Sequence, residues 1–323
     1  MVVDGVPVSE EAFAEWTAFL QPHIERLDAS FFEATTAIAF ADLAARGVDI
    51  AVIEVGLGGR LDATNVITPL VAVVTKIARE HTDYLGPDLT SIAREKAGIA
   101  KRDVPFVTGE CDPAVREVLA AEAARRGAKA ITVVDTTARP TGTRPLGLLG
   151  RHQQANAWVA LAALNALPAS FGPTTQEWPA SFRRAYIAGR FDVWGRWIFD
   201  VAHNPDGARV LADTLHEYDP PHPRHALVGV LGDKDYLGMI DALNTEVDAF
   251  TFTIPDTAPE RRRWDLGRLE SELGGLAVPH DFEPDFERAL DRVQENAATV
   301  IVTGSFHTVG DALARLPGFA PVG

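Results

Sequence analysis

Asp49–Asn65 reads DIAVIEVGLGGRLDATN, a β-branched apolar run that passes directly into a glycine-rich loop. The run from Asp49 to Val55 has the character of a strand buried in a parallel sheet. The loop that begins at Glu54 would then lie at the carboxyl edge, where open α/β sheets bind ligands. Gly56, Gly58 and Gly59 permit backbone conformations and close approaches that larger residues forbid. Glu54 would place a carboxylate at the strand end, with Arg60 and Asp62 flanking the loop. For the glycines alone, a plain turn capping a strand explains as much.

Working outward, helical and strand signals alternate along the chain, which predicts a parallel sheet with helices on both faces. Upstream, Ser30-Phe31-Phe32-Glu33 is a capping box opening a helix to Arg46, stopped by Gly47. Downstream, Leu70–Ile77 (LVAVVTKI) and Pro105–Thr108 read as strands, and Ser91–Ile99 and Pro113–Arg125 as helices. Pro140–Pro145 (PTGTRP) is a loop, and Gln153–Leu167 reads as a buried helix. Around Ala188-Gly189-Arg190 the chain changes character. Trp197–Asp200 is a strand feeding a helix after Asn204-Pro205, and His225–Leu231, Ala249–Ile254 and Ala298–Thr303 are further strands. The expected organisation is two tandem α/β domains, 1–187 and 188–323.

Composition narrows the function classes. The 323 residues are 46% hydrophobic and 23% charged, the mix of a soluble globular protein. A formal net charge of -15 argues against nucleic-acid binding. One cysteine, Cys111, excludes an internal disulfide framework and fits a reducing cytosol. No run of about 18 apolar residues indicates a membrane span, and Met1–Ala14 does not read as a signal peptide. The expectation is a cytoplasmic protein without nucleic-acid or membrane partners.

Further blocks also fall at strand ends. Thr75–Gly86 (TKIAREHTDYLG) presents His81 and Asp83. Glu54 and His81, brought from separate strands, would suit magnesium, which takes one or two protein ligands and fills its sphere with water and phosphate oxygens. Ile92–Ile99 (IAREKAGI) carries Lys96 beside Glu95, by pattern an ordinary solvated helix face. In Gly189–Gly207 (GRFDVWGRWIFDVAHNPDG), Asn204 suits a helix N-cap and Pro205 its first turn. Capping does not account for Asp200 and His203, which could hold ribose hydroxyls and phosphate at a helix N-terminus. Leu231–Asp235 (LGDKD) and Thr303-Gly304-Ser305 could be plain turns.

Taken in order, EVGLGGRLDATN, HTDYLG, EKAGI, HQQAN (His152–Asn156), AGRFD, DVAHNPDG and TGS resemble the folylpolyglutamate synthase/dihydrofolate synthase family of the Mur-type ligases. The resemblance runs from about Asp4 to Leu313. It implies a Mur-ligase-like central ATPase domain over 1–187, binding ATP, magnesium and folate, and a Rossmann-like glutamate-ligase domain over 188–323. The implied reaction is ATP-dependent ligation of L-glutamate to folate or dihydropteroate through an acyl phosphate. By motif, Glu54 and His81 are implied magnesium ligands. Asn156, Arg190, Asp200 and His203 are implied ATP contacts, and His203, Ser305 and Lys234 the glutamate side. Lys96, which resembles a lysine that can be carbamylated, and His203 are the implied catalytic residues. The expected partners are these small molecules alone, with the protein a monomer.

Family members carry a glycine-rich phosphate loop before the segment that Val3–Phe13 (VDGVPVSEEAF) resembles. No G-x-x-x-x-G-K-[ST] occurs in the 323 residues. The chain is therefore expected to lack the first strand, the loop and the following helix, to expose that strand's apolar neighbours, and to be poorly stable alone. Two alternatives stay open, a loop-less and catalytically impaired folate- or nucleotide-binding relative, and a Mur-type ligase for another substrate. Departures from the family pattern at Ala188, Val201 and Phe306-His307 are expected to be tolerated.

Overall fold

Ser30 opens its helix through a reciprocal cap. Its N–H donates to Glu33 Oε2 at 2.8 Å, and the Glu33 N–H donates to Ser30 Oγ at 3.3 Å, satisfying two donors a helix start leaves free. The computed structural model describes residues 1–136, 146–171 and 178–316; the PTGTRP stretch lies outside the described residues. By internal contacts these form two compact units, 1–136 with 158–171, and 146–157 with 178–316. Residues 146–157 and 178–187 thus group with the C-terminal unit, and the division falls within one helix rather than at a single point near 187.

The first unit begins with a two-stranded hairpin, β1 (Val2–Val3) and β2 (Val6–Pro7), followed by helices α1 (Glu10–Leu27) and α2 (Phe31–Ala45). Next come β3 (Ala72–Val74), α3 (Thr82–Leu85), α4 (Leu89–Ala97), β4 (Pro105–Thr108), α5 (Pro113–Arg125), β5 (Ala130–Val133) and α6 (Arg151–Asn165), whose first turns belong to the second unit. Strands β3, β4 and β5 form a parallel sheet in that order. Its core gathers Phe106 from the sheet, Ile92 from α4 and Leu119 from α5, all fully buried. α6 buries Val159, but most of its described side chains are half-buried or exposed, so it is less enclosed than its Ala- and Leu-rich sequence predicts.

Asp49–Val55 does not form the strand its composition predicts: residues 50–55 have no ladder partner among the described residues and are not in a strand. A β-branched run becomes a strand only where a neighbour takes its N–H and C=O groups, and here Val52 is 97% exposed. The stretch instead borders a cavity of about 700 Å³, lined across from it by Phe32, Thr36, Phe40 and Leu43 of α2.

The second unit adds α7 (Trp178–Arg184), β6 (Asp192–Trp194), β7 (Trp197–Phe199), α8 (Pro205–Tyr218), β8 (Arg224–Val228), α9 (Tyr236–Leu243), β9 (Ala249–Phe252), α10 (Leu266–Glu272), β10 (His280–Phe282), α11 (Phe286–Gln294), β11 (Thr299–Thr303) and α12 (Phe306–Leu313). Six strands form one sheet in the order β10-β9-β8-β11-β7-β6, parallel except for β6 at the edge. Side chains alternate across it with period two. Ile198, Val228, Phe250 and Ile301 face α8, α9 and α10, whereas Phe199, Leu227, Val300 and Val302 face α11 and α12. α11 meets the sheet with Phe286, Ala289, Leu290 and Val293, the i, i+3, i+4, i+7 stripe of a helix with one buried face. The chain leaves β7, builds β8, β9 and β10 outward, and returns to place β11 between β7 and β8. The carboxyl ends of β7, β8 and β11 therefore lie side by side where the strand order reverses, the position at which such sheets bind ligands.

Candidate active site

In the N-terminal unit, the Glu54–Asn65 loop is organised by Asp62. One carboxylate oxygen accepts the N–H groups of Gly56 (3.1 Å) and Leu57 (2.9 Å), the other the N–H and hydroxyl of Thr64. Gly58 has φ +67°, a left-handed conformation that favours glycine. Two further glycines let the loop press onto α4. A Cβ on Gly59 would lie 3.0 Å from the carbonyls of Glu95 and Lys96, and one on Gly98 would lie 2.5 Å from Arg60 Cα. Arg60 completes the joint, its backbone N–H donating to the Glu95 carbonyl at 2.9 Å and its Nε to the Glu95 carboxylate at 3.1 Å. The GLGGRLDATN and EKAGI blocks are thus two halves of one packed corner.

Glu95 and Lys96 point to different partners. Lys96 Nζ lies 3.1 Å from Glu80 Oε1, so it is paired with the residue preceding His81. A carbamate at this position would face the Glu80 carboxylate. His81 caps α3 at φ 51°, a conformation uncommon for a residue with a side chain. The same loop is pinned from β4: Glu110, 3% exposed, accepts the N–H of Ile77 at 2.7 Å and that of Asp112 at 2.8 Å. Lys96 and the His81 loop are therefore brought together. Glu54 is exposed beside the cavity next to α2, and no hydrogen bond or ion pair ties it to His81. Among the described residues no group of three or more His, Cys, Asp or Glu side chains is placed to hold a metal. One carboxylate and one imidazole fit only a divalent ion that takes most of its sphere from water and phosphate oxygens.

The C-terminal unit concentrates more of the expected residues. Asp200 follows β7 and accepts the N–H groups of Phe191 and Ala202, both at 2.9 Å. Burial pushes its carboxyl up to about 6, although both N–H bonds and Arg190 favour the ionised form. Asp192, 7% exposed, shapes the AGRFD turn by accepting from the Tyr186 hydroxyl, the Gly189 N–H and Trp194 Nε1. Arg190 projects from that turn and its guanidinium lies 5.8 Å from the Phe306 ring centre, within cation–π range. The His203 ring lies 5.7 Å from the same ring, and His203 Nδ1 bonds the Val201 carbonyl at 2.9 Å, which leaves Nε2 for a ligand. Asn204 caps α8 through Gly207 N–H at 2.8 Å, with Pro205 in the first turn.

Ser305 is 3% exposed and caps α12, accepting the Thr308 N–H at 3.1 Å. Its hydroxyl also bonds Thr308 Oγ1 at 2.8 Å. Lys234 lies in the turn after β8, 3.7 Å from Asp233, whose carboxyl is held low mainly by the Arg262 guanidinium. Asn156 is exposed on α6 and donates to Gln153 Oε1 at 3.2 Å. His152, one turn earlier, has its pKa lowered by burial and then by Arg190, so Arg190 acts electrostatically on both His152 and Asp200.

Arg190, Asp200, His203 and Phe306 thus converge at the ends of β7 and β11. The structure does not link Asn156 or Lys234 to them by any recorded bond. Sequence reasoning missed His152, Phe306, Glu80 and Glu110. The HQQAN and TGS strings contained or adjoined the first two, while Glu80 and Glu110 carry no local signal because their partners are 16 and 33 residues away.

Known proteins resemble this chain over nearly its whole length. Residues 25–139 match the Mur ligase middle domain and residues 189–306 the Mur ligase glutamate ligase domain. A dihydrofolate synthase/folylpolyglutamate synthase from Mycobacterium tuberculosis is 35% identical over 369 residues, covering 97% of this chain and 73% of the relative. A solved Mycobacterium tuberculosis folylpolyglutamate synthase complexed with ADP superposes with a TM-score of 0.87 at 32% identity, covering 99% of this chain and 81% of that one. A bifunctional folylpolyglutamate synthase/dihydrofolate synthase from Yersinia pestis, complexed with AMPPNP and an Mn ion, gives a TM-score of 0.80 at 33% identity over 95% of this chain and 76% of that one. The chain belongs to the folylpolyglutamate synthase/dihydrofolate synthase family of Mur ligases, which are ATP-dependent amide ligases.

Proposed function

We propose that this chain ligates L-glutamate to folate or dihydropteroate at the expense of ATP, through an acyl phosphate. The observation that carries the residue assignment is the convergence of Arg190, Asp200 and His203 at the adjacent carboxyl ends of β7 and β11. In this reading residues 1–187 serve ATP, Mg2+ and the folate substrate, and 188–323 the glutamate together with the nucleotide contacts Arg190, Asp200 and His203, in a monomer acting in the cytosol. Support comes from the nucleotide-bound relatives; among the described residues no helix is long and apolar enough to cross a membrane.

A substrate carboxylate oxygen attacks the γ-phosphorus, the bond to ADP breaks, and the acyl phosphate forms. The glutamate amine then attacks the acyl carbon, phosphate leaves, and the amine proton passes to a base. Arg190 would hold nucleotide charge, and Asp200 would accept from ribose hydroxyls once ionised. Asn156 is the third nucleotide contact. His203, with Nε2 free, sits where it can contact the nucleotide or take up the amine proton. Ser305 and Lys234 would receive the glutamate carboxylates. Mg2+, held by Glu54 and His81, would offset charge during phosphoryl transfer. Lys96 would act beside that ion through its tie to the His81 loop.

The test is ADP release with all three substrates and with each omitted. Release that requires both glutamate and a pteroyl carboxylate supports the proposal. Release that ignores either one contradicts it. Arg190→Ala is expected to raise the KM for ATP by roughly ten-fold or more, the effect of losing a charge-assisted contact.

A further inference from the structure

Phe306 stands out because nothing in the fold requires it. It is 60% exposed and belongs to neither face of the core, whereas α12 packs through Thr308, Val309, Asp311, Ala312 and Leu313. A large aromatic ring exposed at the first position of a helix contributes little to stability. Yet its ring meets Arg190 at 5.8 Å and His203 at 5.7 Å, two residues that arrive from different segments.

The ring is mounted on a rigid corner. Gly304 has φ +111°, and a Cβ there would lie 2.6 Å from the Gly229 carbonyl, so the turn admits little else. Ser305 is buried, and Thr308 Oγ1 donates to the same Gly229 carbonyl at 2.5 Å. Arg190, by contrast, is an exposed long side chain on a glycine turn at Gly189, φ +72°. A flexible guanidinium loses side-chain entropy whenever a ligand fixes it. An aromatic face that holds it beforehand lowers that cost.

We propose that Phe306 is a positioning residue that holds Arg190 and His203 against one ring, so that the nucleotide-binding group and the group that meets the glutamate amine are aligned by a shared support. The proposal rests on the roles given above to Arg190 and His203. It makes the two substrates' affinities depend jointly on one side chain that touches neither reacting atom.

The experiment compares Phe306→Ala, Phe306→Leu, Phe306→Tyr and wild type in the full chain, first without ligands. In a 1H–13C spectrum the His203 ring proton, assigned with His203→Gln, is expected to shift in Phe306→Ala and stay near its wild-type position in Phe306→Tyr. In the ligation assay Phe306→Ala is expected to raise the KM for ATP and for L-glutamate together, each by roughly two- to five-fold. Phe306→Leu should recover little of this and Phe306→Tyr most of it. The melting temperature should stay within about 2 °C, as for an exposed site. An unmoved His203 resonance in Phe306→Ala overturns the proposal whatever the assay shows. So does an unchanged pair of KM values in a folded protein, or a leucine variant equal to wild type. If wild type itself makes no amide, the ligase reading fails, and the same comparison by calorimetric ADP affinity decides the role of Phe306: a two- to five-fold loss in Phe306→Ala supports it, and equal affinities or no binding overturn it.

Discussion

Gly98→Ala tests the claim that the glycine loop and the helix bearing Lys96 form one packed corner. Gly98 has φ -57° and ψ -13°, where alanine is at ease. With the site open, the substitution would stabilise by about 0.4–1 kcal/mol through the unfolded chain. The site is not open: the new Cβ would lie 2.5 Å from Arg60 Cα and 2.8 Å from the Glu95 carbonyl. Arg60 Cβ is nearer still, and it moves with the backbone, so the loop itself must retreat by about 1 Å to reach ordinary contact. That retreat pulls on the Arg60 N–H bond to Glu95 and on the Arg60–Glu95 ion pair. Overpacking of this kind costs about 1–3 kcal/mol, and the strained bonds place the expected net loss near 2 kcal/mol. By calorimetry the N-terminal unit should melt about 4–8 °C lower. Gly310→Ala, in α12 with nothing within 4 Å of its Cβ, is the control of opposite sign and should stabilise by about 0.5–1 kcal/mol. A Gly98→Ala protein as stable as wild type would refute the packed corner.

Asp200 carries a pH signature. Its carboxyl is raised from 3.8 to about 6 by burial, so the folded state binds a proton more tightly than the unfolded chain. Its contribution is fully present below about pH 4 and is lost as pH rises through 6, by at most roughly 3 kcal/mol. Urea denaturation should show Asp200→Asn gaining stability relative to wild type between pH 4 and 7, and a pH-independent difference would count against the buried carboxyl. Glu110→Ala strands the N–H groups of Ile77 and Asp112 and should cost about 2–4 kcal/mol; equilibrium unfolding at neutral pH checks this, and a loss under 1 kcal/mol would mean the clamp is slack. Val52→Thr, at a 97% exposed position, should leave the melting temperature within about 1 °C while slowing aggregation in light scattering. A loss of several degrees would show that Val52 is packed.

Much of the fold was legible because local signals and tertiary structure agree. The Ser30 cap, the α8 start at Asn204-Pro205 and the apolar strands β4, β7 and β11 each carry their own chemistry. Asp49–Val55 failed because strand character is only half of a strand; the partner is a fact about other residues. β10 was invisible because three residues, His280–Phe282, pair along a sheet edge with half-buried side chains. α1 went unread although Phe13, Trp16 and Leu20 recur at helical spacing; none of its residues is fully buried. At the site, Glu95 and Lys96 looked like one solvated face, yet neighbours on a helix point about 100° apart, one to Arg60 and the other to Glu80. Phe306 looked like a tolerated departure, because only three-dimensional packing places it between Arg190 and His203.

The most direct test of the ligase assignment uses dihydropteroate carrying 18O in its carboxylate, with ATP, L-glutamate and Mg2+. If the chain works through an acyl phosphate, each amide formed releases one phosphate bearing a single 18O from the substrate. Amide formation with unlabelled phosphate would contradict the acyl-phosphate route, and no amide at all would contradict the assignment itself.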